Sequence, residues 1–143
     1  MLGITENALK TALREIGSAH IYPIWLERWK VNPLWGNCQL VSEFTFRYLA
    51  PDGTQIYAID GNTGKETEHW MLINKKVGDY IIDLTFDKDY DYSKAKFRLL
   101  QAERNLCKQL AALMNVAHKK RLILQNYKKA ELDAILKGLR HST

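Results

Sequence analysis

Two cysteines, Cys38 and Cys107, are all that the sequence holds. That is too few for a disulfide scaffold, and it points to a reducing, cytoplasmic setting. No apolar run approaches the roughly 18 residues of a membrane span. Met1 to Lys10 lacks the basic start and apolar stretch of a cleaved signal, so neither membrane insertion nor secretion by that route is expected. Internal repeats, phosphate-binding glycine loops and paired zinc knuckles are all missing. No cofactor or metal is therefore expected. Asp87, Asp89 and Asp91 alternate like the start of a calcium loop, but the glycine and terminal glutamate of such a loop do not follow.

What is present is a chain of 143 residues, 46% hydrophobic and 26% charged. This suffices for a single domain over 1–143 and is too short for two ordinary ones. The net charge of +5 is unevenly spread, with 11 Lys and Arg against 3 Asp and Glu from Lys96 to Thr143. Such a segment suits nucleic acid, an acidic protein or the acidic remainder of its own chain. With no nucleic-acid reader motif beside it, a solvated helix face is favoured over nucleic-acid binding.

The periodicity predicts an N-terminal helix capped by Thr5, carrying Leu9, Leu13 and Ile16 on one face and stopping at Gly17-Ser18. Pro23 and Pro33 exclude one regular helix through Tyr22 to Gly36, a turn-rich stretch that also holds Trp25, Trp29 and Trp35. From Cys38 to about Leu49 the apolar spacing is helical again. Cys38 thus stands at or before a helix N-terminus, where unpaired amides and the helix dipole favour a thiolate. Strands are expected at Thr54–Ile59, Glu68–Asn74 and Tyr80–Thr85. Beyond them, one helix with a stripe of Leu99, Leu106, Leu110 and Leu113 should end at Asn115, with Cys107 as a small core residue. A second is expected to use Leu122, Leu124, Tyr127, Leu132 and Ile135.

A hairpin symmetric about Lys76 would set His69 directly opposite Asp83, with Cβ atoms about 4.5–5.5 Å apart and an imidazole–carboxylate bond within reach. Thiol, imidazole and carboxylate are the groups that a nucleophilic acyl-transfer site needs. A one-residue slip would turn the two side chains to opposite faces.

Asn32-Pro33-Leu34-Trp35-Gly36-Asn37-Cys38, then His69-Trp70, then Ile82-Asp83-Leu84-Thr85 with a trailing Phe86 resembles the YunG-like family of small bacterial proteins. More broadly the arrangement is similar to the papain-like superfamily, including transglutaminases and arylamine N-acetyltransferases. The resemblance spans about Asn32 to Phe86. It implies that Cys38 is the nucleophile, His69 the base and Asp83 the orienting acid of a catalytic triad. It also implies an amide side chain donating to the oxyanion, for which Asn32 and Asn37 are the candidates, either of which can instead cap the helix. Trp35, Trp29 and Trp70 are candidate walls of the substrate cleft, although Trp70 alternates away from His69.

The fold class expected is α+β: a nucleophile-bearing helix packed on a small antiparallel sheet of about three strands or more, with an N-terminal helix and two C-terminal helices. The expected function is cysteine-dependent hydrolysis or transfer of an amide-type acyl group through a thioester, on a protein, peptide or small amide substrate. A catalytically silent binding domain of the same fold, a binder of nucleic acid or acidic protein through the C-terminal helices, and a Cys-His-Asp zinc site are the alternatives. Oligomeric state is left open.

Overall fold

The amphipathic N-terminal segment forms α1, Glu6–Ile16, burying Leu9, Ala12 and Leu13 along one stripe. Gly17 ends it at a φ of 87°, donating its N–H to the Leu13 carbonyl, a conformation that glycine adopts without steric penalty. This computed structural model describes residues 6–59, 68–74, 80–85, 94–101 and 104–116. The cap expected of Thr5, the acidic run Asp87, Asp89 and Asp91, and the second C-terminal helix lie outside the described residues.

Pro23 opens a short 3-10 turn, Pro23–Trp25, that runs into α2, Leu26–Val31. Pro suits a first helical position because its missing N–H would be unpaired there anyway. The helix ends at Asn32, which is extended as expected for a residue before proline. A short helix thus fits between the two prolines and none passes through both.

The third helix, α3, spans Cys38–Tyr48. It lies between two apolar layers. On one side Leu40, Val41 and Phe44 join Leu9 and Leu13 of α1 and Cys107 and Leu110 of the C-terminal helix. On the other, Cys38 and Phe46 pack against Ile56, Ala58, Trp70, Leu72 and Ile82 of the sheet.

That sheet is antiparallel, with strand order β3-β2-β1-β4. Its strands are β1, Thr54–Ile59; β2, His69–Asn74; β3, Tyr80–Ile82; and β4, Lys96–Phe97. β2 is central and buried along its whole length, so its alternation is invisible in hydropathy. β4, a two-residue edge strand that hydropathy did not reveal, extends its pairing through the Arg98 N–H to the Ile56 carbonyl.

The β2–β3 register differs from the expected one. Ile73 pairs with Ile81 rather than Asp79, and Leu72 with Ile82. An offset of two residues preserves side-chain parity, so His69 and Asp83 keep one face as diagonal neighbours instead of direct partners. β3 also stops at Ile82 rather than Thr85, because the Asp83 carboxylate accepts both the N–H and the hydroxyl of Thr85, each at 3.1 Å. Those bonds turn the chain out of the ladder.

The C-terminal stripe is likewise shorter than expected. α4 covers Arg104–Leu113 and buries Cys107, Leu110 and Ala111, while Leu99 and Leu100 lie before it and Leu99 is 75% exposed. The chain here is committed to β4 pairing, and the buried Glu43 carboxylate then accepts the Gln101 N–H. At the other end of α4 Asn115 adopts a φ of 58°, with Val116 N–H on the Ala111 carbonyl and Asn115 N–H on Ala112. This is the paired bonding of a left-handed helix stop, with Asn in place of the usual glycine. The observed class is α+β. No described helix is long and apolar enough to cross a membrane.

Candidate active site

The turn before α3 positions the nucleophile candidate. Gly36, at a φ of 78°, brings the chain against Ile21 and Trp25. Asn37 follows, fully buried, and its side chain makes no cap bond to the helix. Its Nδ2 donates to the Pro33 carbonyl at 2.6 Å and its Oδ1 lies 2.6 Å from His20 Nε2. Cys38 opens α3 directly after it, so its sulfur lies beside the first amides of an 11-residue helix.

The start of β2 supplies the second group. The Cys38 thiol donates to the Glu68 carbonyl at 3.5 Å, which brings it beside the next residue, His69. The imidazole Nε2 lies 2.6 Å from Asp83 Oδ2, both side chains being almost fully buried. Cys38 is within hydrogen-bonding reach of the same ring, and with Nε2 engaged by Asp83, Nδ1 is the nitrogen left for sulfur. Burial acts most strongly on His69 and by itself disfavours the imidazolium. The Asp83 charge and hydrogen bond and the Cys38 sulfur together outweigh it, raising the pKa from 6.5 to about 10. A ring raised this far above its ordinary value is protonated at neutral pH.

Asp83 is itself oriented, with one oxygen on His69 and the other on Thr85. Thr85 had no assigned role in the sequence. Its signal was the spacing of two residues from an Asp, which permits a local side-chain turn.

A cleft of about 290 Å³ opens over the sulfur, walled by His20, Tyr22, Trp25, Trp70 and Gln101 with Cys38 among them. His69, 3% exposed, is buried and not part of this wall. Of the tryptophans expected to form the cleft, Trp70 does so. Trp35 instead stacks on Trp25 with ring centres 5.4 Å apart, and the Arg28 guanidinium lies 4.7 Å from its centre. Trp29 is turned toward Arg14. Trp25 sits in the 3-10 turn, Trp29 on α2 and Trp35 in the turn beyond Pro33, so each is placed by a different element, which composition could not resolve.

The two asparagines do not take the expected place. Both polar ends of Asn37 are engaged within the protein, and Asn32 Oδ1 accepts the Leu34 N–H at 3.1 Å. Neither belongs to the cleft lining. Local turn formation claims short amide side chains before a substrate can. Among the described residues no group of three or more His, Cys, Asp or Glu side chains is arranged to hold an ion.

No family model, curated protein or solved structure matches the chain. The functional reading rests on the geometry.

Proposed function

We propose that the protein is a cysteine-dependent hydrolase or acyltransferase acting on an amide-type bond. The observation that carries this reading is the convergence of Cys38, at the start of α3, with a His69 ring bonded to buried Asp83. The residues fit roles in sequence: Cys38 Sγ attacks the carbonyl carbon, and the leaving amine departs with the proton stored on His69. Water or a second amine then attacks the thioester, returning a proton to His69 and releasing the thiolate. The Cys38 backbone N–H and those that follow it at the start of α3 serve as the oxyanion donors of this proposal. A reducing cytoplasm suits such a free thiol, and membership of the YunG-like, papain-like group is part of the same proposal.

The burial of His69 and Asp83 favours one second reading, a silent binding domain with the same constellation. Thiol chemistry separates the two. Iodoacetamide at neutral pH should modify Cys38 faster than buried Cys107, as followed by intact-mass analysis with Cys38→Ser as control. His69→Ala should lower the Cys38 rate by about tenfold or more. Slow and equal labelling of both cysteines would leave the silent reading standing and remove the enzymatic one.

A further inference from the structure

The cleft contains an imidazole, and it is not that of His69. His20 lies in its wall, as Cys38 does, and is held by Asn37, the residue that precedes the nucleophile. The hydrogen bonds of Asn37 fix the chemistry of this ring. Its Nδ2 must donate to the Pro33 carbonyl, so Oδ1 is the atom facing His20. Oδ1 only accepts, which requires that His20 Nε2 carry a proton. Flipping the amide would set Oδ1 against the Pro33 carbonyl oxygen, so the tautomer is locked from a fully buried side chain. In neutral His20 the remaining nitrogen, Nδ1, is a bare acceptor. Among the described residues it has no hydrogen-bond partner.

We infer that His20 is a specificity-determining residue whose Nδ1 accepts a hydrogen bond from an N–H of the acyl substrate beside the scissile carbonyl. The inference deepens the proposed function and rests on Cys38 as its nucleophile. It selects substrates with a primary or secondary amide next to the reacting carbon over fully substituted ones. A site that offers an acceptor to an N–H discriminates against an analogue that lacks one, because that bond is then not made. The remaining walls suit a compact, partly apolar acyl group. Tyr22, Trp25 and Trp70 supply aromatic surface, and Gln39, Glu68 and Gln101 add polar contacts. His20, held by Asn37, thus takes a place in the cleft that an oxyanion amide was expected to fill, with hydrogen-bonding of the opposite sense.

The test uses alkylating reagents that differ only in this donor. Iodoacetamide carries two amide N–H groups, and its N,N-dimethyl analogue carries none. Rates at Cys38 are measured by mass spectrometry, and glutathione under the same conditions gives the intrinsic ratio of the two reagents. The expected result is a preference for iodoacetamide at Cys38 about tenfold greater than that of glutathione. His20→Phe should bring the ratio back to the glutathione value. His20→Gln, which keeps a donor for Asn37 and an acceptor for the cleft, should retain part of it. A Cys38 ratio equal to that of glutathione in the wild type overturns the inference, as does a raised ratio that survives in His20→Phe. Rapid labelling of Cys38 without discrimination defeats the His20 assignment alone. Equal, slow labelling of Cys38 and Cys107 defeats the parent reading as well.

Discussion

His69 is protonated at neutral pH because a buried carboxylate is bonded to it, and removing that carboxylate has a calculable sign. The folded-state pKa, about 10, lies above the reference value of 6.5. The pairing therefore stabilises the fold fully below the reference value and is lost as pH rises through about 10. Asp83→Asn should flatten this fall in stability, read as the urea midpoint across the same pH range. It should also lower the His69 pKa, visible in an imidazole NMR titration. A variant ring that still titrates near 10 would contradict the assigned cause.

At the scale of the elements, the turn between α2 and α3 decides where the sulfur stands. Gly36 is the position in it that tolerates least change. A Cβ there would meet Ile21 Cγ2 at 3.0 Å and Trp25 Cβ at 3.3 Å, on a backbone at positive φ. Gly36→Ala should cost about 1–3 kcal/mol in chemical denaturation and slow Cys38 alkylation by shifting the wall residues. Gly17→Ala is the control, since its φ is also positive but its Cβ would have nothing within 4 Å. It should lose stability, about 1 kcal/mol, without altering Cys38 reactivity.

Elements also show where sequence patterns sufficed. The apolar spacing of Leu9 and Leu13, the stop at Gly17 and the helical start at Cys38 are local signals, and the structure carries each of them. β4 was missed because two exposed residues have no period. The Leu99–Leu113 stripe was drawn too long because apolar spacing cannot register that β-pairing has already claimed Arg98.

Across the whole molecule, α3 is the shared wall of both apolar layers, but Cys38 packs on its sheet side, so damage to the other layer should cost stability and spare the site. Leu110, fully buried in the cluster that joins α1, α3 and α4, tests this. Leu110→Ala should destabilise the fold by about 2–5 kcal/mol through lost burial and a residual cavity. Under native conditions its Cys38 labelling ratio should stay near wild type, because the distortion is on the face of α3 away from the sheet. Calorimetry and the two-reagent assay together distinguish lost stability from lost site geometry.

The sequence by itself determined the chemical inventory and its local settings. Cys38 begins a helix, His69 begins a strand, and Asp83 follows one at a parity that survives a two-residue change of register, because side chains alternate with period two. The tertiary structure decided which groups meet the cleft. Asn32 and Asn37 are spent on neighbouring backbone and on His20, His69 is buried outside the wall, and His20, 18 residues before Cys38, arrives in it. Hydrogen bonds between residues distant in sequence depend on how turns pack against helices, and no periodicity in the chain encodes that.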